Sequence, residues 1–91
     1  IKMGEKGSYI VNSKEKHYFP ALNVDVVDTT GAGDGYVAGF IAGIVNNYNF
    51  EKCGLLANVV GAKITTSVGA TSGIISWDDL KNFWTKYDIK I

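Results

Sequence analysis

DVVDTTGAGDGYVAGFIAG, residues 25–43, joins an extended β-branched run to a helix through a turn of small residues. β-branched residues favour extended backbone, and small residues in the turn leave backbone N–H groups accessible at the start of the helix. Because these N–H groups and the helix dipole both favour negative charge, the turn is a candidate anion site. The carboxylate of Asp34 cannot itself be the bound anion. We interpret it as a group that handles a proton beside a phosphate, and the stretch therefore predicts a phosphoryl-transfer site.

The composition is that of a globular protein, with 46% hydrophobic and 20% charged residues. The 91 residues suffice for one small domain or for a piece of a larger one. Nine basic and nine acidic residues cancel and form no basic stripe, which argues against a nucleic-acid partner. The single cysteine fits a reducing compartment, and we expect a cytoplasmic protein. The longest apolar run, residues 36–45, is too short to span a bilayer, so no membrane partner is expected.

Turn residues and apolar patterns divide the chain into short strands followed by helices. The predicted strands are residues 1–3, 8–11 and 16–20, of which the last two form a hairpin. Residues 21–27 are expected to be a strand or a strand-like connection. The predicted helices are residues 33–46, residues 50–66 and a third that begins at Ser76. The fold class predicted from this order is α/β.

The first helix carries two distinct stripes. Its apolar residues recur at the spacing of a buried face; they are Tyr36, Val37, Phe40, Ile41, Ile44, Val45 and, just beyond, Tyr48. Glycine also repeats every fourth residue, at Gly35, Gly39 and Gly43. Each glycine costs a helix interior roughly 1 kcal/mol against alanine. The stripe therefore favours close packing of another element on that backbone, over a helix that merely tolerates glycine.

The second helix also has a core face and a small face. The core positions are Leu55, Leu56, Val59, Val60 and Ile64, and the small stripe is Gly54, Ala57, Asn58, Gly61, Ala62 and Thr65. The small stripe fits either a neighbouring helix or a planar ring hydrogen-bonded by Asn58, and the spacing alone favours helix packing. Asn49 is a candidate N-cap, and Ser76 with Asp79 forms a capping-box-like start of the third helix.

Residues 28–34, DTTGAGD, place an acid at either end of a turn of hydroxyl and glycine residues. Each part has a structural explanation of its own: glycines suit a plain turn, and Asp34 suits the first turn of a helix. Turn chemistry does not readily explain the combination. In a chemical interpretation, the N–H groups of Ala32, Gly33 and Asp34 neutralise charge on a transferring phosphoryl group, and Asp34 accepts the proton of the attacking hydroxyl.

Residues 28–40 resemble the C-terminal signature of the ribokinase-like (PfkB) family of carbohydrate kinases. Three weaker motifs follow the family's order along nearly the whole chain. Residues 2–7, KMGEKG, resemble a strand-end segment, residues 57–62, ANVVGA, resemble a helix, and residues 67–70, SVGA, resemble the loop after it. The resemblance implies ATP and Mg²⁺ as cofactors and, in many members, a monovalent cation that is usually K⁺.

The resemblance also implies roles for individual residues. Asp34 matches the catalytic base, and Gly31, Ala32 and Gly33 match the anion hole. The residues that match nucleotide-binding positions are Gly4 and Gly7 near the phosphates and Asn58 and Gly61 on the helix beside adenine. The cation site would use Asp28 and Thr30 with backbone carbonyls near Ile64, Ser67 and Gly69. A late hydroxyl that often completes this site falls on Gly73, so Ser72 would have to substitute.

Members of this family are much longer than this chain. We therefore expect residues 1–91 to be the C-terminal nucleotide-binding and catalytic segment of a Rossmann-like ribokinase fold, without its sugar-binding part and lid. The longer parent protein would be an ATP-dependent kinase of a sugar or a nucleoside, and it could be a homodimer. The isolated chain would be inactive. The alternatives are a nucleotide-binding module without catalysis, against which Asp34 argues, and a purely structural fragment. The Gly35-Tyr36 pair resembles Gly-Phe in some ketodeoxygluconate kinases and fructokinases, which is too weak to choose a substrate.

Overall fold

The computed structural model describes residues 7–66 and 76–89. Over these ranges the element order is a β-hairpin followed by three helices. The strands are β1 (Ser8–Val11) and β2 (Lys16–Phe19), and the helices are α1 (Ala32–Val45), α2 (Phe50–Thr65) and α3 (Trp77–Lys86). The predicted strand at residues 1–3 lies outside the described residues.

The hairpin pairs β1 with β2 in antiparallel register, with Ser8 opposite Phe19 and Val11 opposite Lys16. Its turn is closed by Asn12, whose side-chain oxygen accepts hydrogen bonds from the backbone N–H groups of Lys14 and Glu15, both at 2.8 Å. An Asn side chain commonly stabilises a turn in this way. Ile10 and Phe19 are buried, and they lie where Gly54 leaves room on α2. The hairpin therefore packs on the N-terminal half of that helix.

Helix α2 is the centre of the described structure. Its N-cap is Asn49, whose side chain accepts from the Lys52 N–H at 2.8 Å, as predicted. The buried core joins α2 to α3, and its members are Leu56, Val59, Val60, Leu80 and Phe83. Helix α3 begins with the predicted capping box between Ser76 and Asp79. An amphipathic helix gains most of its stability from such packing and not from intrinsic propensity.

The glycine stripe of α1 faces α2 directly, which confirms the predicted close approach. Gly35, Gly39 and Gly43 are the buried residues of α1. A Cβ atom at Gly39 would lie 2.8 Å from the Cα atom of Ala57, and one at Gly43 would lie 3.0 Å from the Cα atom of Cys53. Such distances are shorter than non-bonded carbon contacts allow, so the two helices pack backbone against backbone at these points.

We predicted that the apolar residues of α1 form a buried face. Within the described residues this prediction is wrong. Four of its members are more than half exposed: Val37 at 53%, Ile41 at 54%, Ile44 at 57% and Val45 at 73%. The periodicity correctly identified an apolar stripe, but α2 packs on the glycine stripe. Helix α1 is therefore apolar on several sides, and such a helix is typical of the interior of a larger protein.

Other predicted boundaries differ from the structure by one residue. Residues 21–27 form an irregular connection, so of the two predicted alternatives the strand is excluded. Near its end the Val27 N–H donates to the Thr65 carbonyl at 2.7 Å. Within the described ranges, no helix has both the length and the apolar character needed to cross a membrane.

Cys53 provides a test of this packing. Its side chain is 2% exposed, its thiol donates to the Tyr48 carbonyl at 3.5 Å, and burial raises the pKa of the thiol above its ordinary value. We expect thiol reagents to modify Cys53 much more slowly in the folded chain than in urea, because the thiolate is the reactive form. Equal rates would contradict this packing.

The same shift predicts a pH dependence of stability. Because the folded-state pKa is raised, the stability contribution is present at low pH and is lost as the pH rises past the ordinary thiol pKa of about 8.5. The difference in urea midpoint between the wild type and Cys53→Ala, which has no titrating thiol, should therefore change across this range in that direction. A difference that is constant with pH would contradict the prediction.

Candidate functional site

The turn before α1 is shaped by one glycine in a left-handed conformation. Gly31 is the N-cap of α1, with φ of 81° and ψ of −1°, and no side chain accepts a capping hydrogen bond there. Residues with a Cβ rarely adopt this conformation. The Gly31 carbonyl accepts the first helical hydrogen bond from the Gly35 N–H at 2.9 Å. The turn therefore directs the chain into α1 without a side chain over the N–H groups that follow.

Two of the three predicted anion-binding N–H groups are available. The Ala32 N–H donates to the Thr29 carbonyl at 3.2 Å, so it would have to leave this acceptor to contribute to the predicted anion hole. Within the described residues, the N–H groups of Gly33 and Asp34 have no such acceptor. This difference follows from the helix start, because the first N–H groups of a helix lack intrahelical partners unless the preceding turn supplies one.

Asp34 lies in the first turn of α1 and is exposed. In the part of the chain that the structure describes, His17 lies at salt-bridge distance from Glu15, at 3.0 Å, and from Glu51, at 3.4 Å. Asp34 has no such contact among the described residues. The carboxylate can accept a proton close to the helix N-terminus, where the N–H groups of Gly33 and Asp34 have no backbone acceptor among the described residues.

A cavity of about 600 Å³ opens beside this turn, within the usual range for small-molecule sites. It brings together predicted site residues that are far apart in the sequence: Gly7, Ala32, Gly33, Asn58 and Gly61. Asp34 and Gly31 do not line it, although they adjoin residues that do. The cavity therefore connects the predicted nucleotide-binding positions with the start of α1.

Two glycines of the cavity have a structural reason to be glycine. Gly7 has φ of 95°, and a Cβ there would lie 2.9 Å from the backbone N atom of Ala21. At Gly61 a Cβ would lie 3.2 Å from the Ala32 carbonyl oxygen, which is tight but not prohibitive. Both glycines therefore let backbone segments converge around the cavity.

The sequence left two roles open for the small stripe of α2, which are packing on a neighbouring helix and contact with a planar ring. In the structure, one part of the stripe packs on other elements and another part lines the cavity. Gly54 packs against the hairpin, and Ala57 lies against Gly39 of α1. The members that line the cavity are Asn58, Gly61, Ala62 and Thr65. The end of the stripe nearer the N-terminus of α2 is thus a packing surface, and the end nearer its C-terminus lines the cavity.

Several residues of this cavity were not predicted from the sequence. The connection between β2 and the turn contributes apolar groups from Leu22, Val24 and Val26. Tyr36, which the sequence placed in the core of α1, also lines the cavity. The sequence signal was the clustering of apolar residues in a segment without strand partners, since such residues need another surface to cover.

The predicted cation site is only partly described. The Asp28 carboxylate accepts from the Thr30 N–H at 2.9 Å, and the Asp28 N–H donates to the Thr65 carbonyl at 3.0 Å, which brings Asp28 to the end of α2 near Ile64. The described residues contain no cluster of three His, Cys, Asp or Glu side chains that could hold a metal ion. The remaining predicted positions, Ser67, Gly69 and the substitute Ser72, lie outside the described residues, as does the nucleotide-binding position Gly4.

A second cavity, of about 490 Å³, lies between the end of α2 and α3. It has charged groups of both signs, from Asp25, Lys63, Asp79 and Lys86. None of the predicted catalytic or nucleotide-binding residues lines it. The cavity beside the DTTGAGD turn is therefore the better candidate for the chemistry.

Comparison with known proteins identifies the family. The family model of the pfkB family carbohydrate kinases matches residues 1–77. The chain belongs to this family. It is 33% identical over 90 residues to a nucleoside kinase of Methanocaldococcus jannaschii, which accounts for 98% of this chain and 30% of that protein.

Solved structures of pfkB relatives share the fold. A ribokinase from Thermotoga maritima superposes with a TM-score of 0.83 at 33% identity, covering 92% of this chain and 28% of that one. The aminoimidazole riboside kinase of Salmonella enterica, solved with aminoimidazole riboside and an ATP analogue, superposes with a TM-score of 0.80 at 31% identity, covering 92% and 30%. The predicted α/β fold of a ribokinase-like protein is thus confirmed. The chain spans 30% of the length of the curated relative from M. jannaschii.

Proposed function

We propose that this chain supplies the catalytic base, the anion turn and part of the ATP site of a kinase that phosphorylates a hydroxyl group of a sugar. A nucleoside acceptor is the alternative within the family. The observation that carries the proposal is the cavity in which Gly7, Asn58 and Gly61 meet Gly33 at the start of α1. A nucleotide with its base near Asn58 would direct its phosphates toward the unfilled N–H groups of Gly33 and Asp34.

In the proposed reaction, the acceptor hydroxyl oxygen attacks the γ-phosphorus of ATP. A bond forms between this oxygen and the phosphorus, the bond from the phosphorus to the β–γ bridging oxygen breaks, and ADP leaves. The hydroxyl proton goes to the Asp34 carboxylate. The N–H groups of Gly33 and Asp34 stabilise the charge on the phosphoryl oxygens, which is the main task in phosphoryl transfer.

Metal ions enter this proposal in two places. Mg²⁺ would accompany ATP and neutralise phosphate charge. K⁺ would bind between Asp28, Thr30 and the carbonyls near Ile64, Ser67 and Gly69. The approach of Asp28 to the end of α2 supports this placement, because its N–H contacts the Thr65 carbonyl directly.

The acceptor pocket is proposed to come from the rest of a ribokinase fold. Two observations support this. The chain spans 30% of its curated relative, and α1 exposes an apolar stripe that includes Val37, Ile41 and Ile44. Since an uncharged helix face of this kind is normally covered, we propose that the remaining part of the fold packs on it. The isolated chain would then bind nucleotide but transfer no phosphate.

Calorimetric titration of Mg-ATP into the 91-residue chain in potassium buffer tests the nucleotide site. We expect saturable binding that Gly33→Val weakens by about tenfold or more, because the added side chain lies over the N–H groups that meet the phosphates. Ala38→Val is the matched control, since Ala38 lies on an exposed part of the same helix. Absence of binding, or equal weakening by both variants, would contradict the proposal.

A further inference from the structure

Three polar side chains from three different elements meet at the cavity. They are Ser8 of β1, Tyr36 of α1 and Asn58 of α2. The Ser8 hydroxyl oxygen lies 3.1 Å from the Tyr36 hydroxyl oxygen and 3.5 Å from the side-chain carbonyl oxygen of Asn58. The Asn58 amide nitrogen donates to the Pro20 carbonyl at 3.2 Å. All three side chains belong to residues that line the cavity.

The available protons fix the direction of these hydrogen bonds. Ser8 is 2% exposed and has a single hydroxyl proton. If Ser8 donated to Tyr36, two oxygen acceptors, those of Ser8 and Asn58, would face each other without a proton. If Tyr36 donates to Ser8 and Ser8 donates to Asn58, both contacts are hydrogen bonds. The network therefore runs from Tyr36 through Ser8 to Asn58.

This network also fixes the orientation of the Asn58 amide. Exchanging its oxygen and nitrogen would place the amide oxygen against the Pro20 carbonyl, 3.2 Å away, with no proton between them. An Asn amide has two N–H donors, and Pro20 receives only one. Among the described residues the Asn58 amide nitrogen has no second acceptor, so its second N–H can donate to a ligand in the cavity.

We infer that Ser8 and Tyr36 are positioning residues that hold Asn58 so that its second N–H donates to an acceptor nitrogen of the nucleotide base. The inference rests on the proposed function, which places ATP in this cavity. Purine rings carry such acceptor nitrogens at fixed positions, and each can be replaced individually by C–H in deaza analogues. A held amide would distinguish these positions, whereas a freely turning amide could present either its oxygen or its nitrogen.

The test is titration of ATP, 1-deaza-ATP, 3-deaza-ATP and 7-deaza-ATP, each with Mg²⁺, into the 91-residue chain and its variants. For the wild type, one analogue should bind about tenfold more weakly than ATP, because it leaves the Asn58 N–H unsatisfied. In Tyr36→Phe and in Ser8→Ala, that ratio should fall below about threefold, while ATP itself weakens only a few-fold. Tyr48→Phe is the matched control, since Tyr48 does not line the cavity, and it should retain the wild-type ratio.

The ratio separates positioning from general destabilisation. A merely structural role would weaken ATP and all analogues in parallel and leave the ratio unchanged in Tyr36→Phe, which would overturn the inference while the proposed function stands. Equal binding of all four nucleotides by the wild type would also overturn it. Failure of the wild type to bind any of them would instead contradict the proposed nucleotide site itself.

A measurement without ligand provides a second test. In ¹⁵N-correlated NMR spectra of the wild-type chain, the Asn58 side-chain proton that is bonded to the Pro20 carbonyl should be displaced from the shift of a solvent-exposed Asn amide. Tyr36→Phe should shift this pair while backbone signals away from the cavity stay in place. An Asn58 pair that is unchanged in Tyr36→Phe would show that Tyr36 does not hold the amide.

Discussion

Replacing Asp34 by asparagine should lower the rate of phosphoryl transfer by roughly a thousandfold, in the middle of the range for loss of a general base. Asparagine has nearly the same size and keeps the backbone N–H, so the anion turn should survive. It cannot accept the proton of the acceptor hydroxyl. We therefore expect the ATP affinity to remain within a few-fold of the wild type. This combination distinguishes a catalytic base from a residue that merely shapes the turn.

The rate can be measured in a chimera in which these 91 residues replace the matching segment of the M. jannaschii nucleoside kinase. The two proteins are 33% identical over 90 residues, and the rest of that enzyme would cover the apolar stripe of α1. Asp78→Asn is the matched control, because Asp78 is likewise an exposed acid in the first turn of a helix. Equal turnover of Asp34→Asn and the unmodified chimera would refute the assignment and would favour a nucleotide-binding module without catalysis.

Gly39→Ala should destabilise the chain, although alanine is the better helix former. The propensity gain is about 1 kcal/mol. Against it, the new Cβ would lie 2.8 Å from the Cα atom of Ala57 and 3.0 Å from the Leu56 carbonyl oxygen, and backbone atoms cannot rotate away. Overpacking of this kind typically costs 1–3 kcal/mol. Because both close contacts are with backbone atoms, we take the upper end, about 3 kcal/mol, and expect a net loss of about 2 kcal/mol in the free energy of unfolding.

Gly35→Ala is the matched control for this prediction. It lies on the same stripe, but the nearest atom to its added Cβ is the terminal methyl carbon of Ile64, which can change rotamer. We expect this variant to stay within about 1 kcal/mol of the wild type. Urea denaturation of both variants measures the difference. Equal stability of Gly35→Ala and Gly39→Ala would mean that α1 and α2 do not pack backbone against backbone at Gly39.

Much of the local structure could be predicted from the sequence because it depends on neighbouring residues. The caps at Asn49 and Ser76 follow from side chains within a few positions of each helix start, and the start of α1 follows from the turn at Gly31. The glycine stripe also indicated a close neighbour correctly. The apolar stripe of α1 could not be assigned to a partner in the same way. Periodicity shows that a face is apolar, but it does not show whether the covering element belongs to the described residues.

The residues of the candidate site that belong to short sequence motifs could be predicted. Gly7, Gly33 and Asn58 were each proposed from short motifs, and the structure brings them to one cavity. The network from Tyr36 through Ser8 to Asn58 was not predictable, because it joins residues 28 and 50 positions apart. The hydrogen bond from the Ala32 N–H to the Thr29 carbonyl was not predictable either, since it depends on how the turn folds back and not on residue type.

The backbone contact between α1 and α2 has a consequence for motion. Helices that touch through long side chains can slide as rotamers change, whereas helices that touch at Gly39 and Ala57 have no such freedom. Asn58 and the DTTGAGD turn therefore belong to one rigid unit, and the base and phosphate ends of a bound nucleotide would be held at a constant separation. In the proposed kinase, any closure over the acceptor would therefore hinge outside this helix pair, and α1 and α2 would form the fixed platform against which other parts of the protein move.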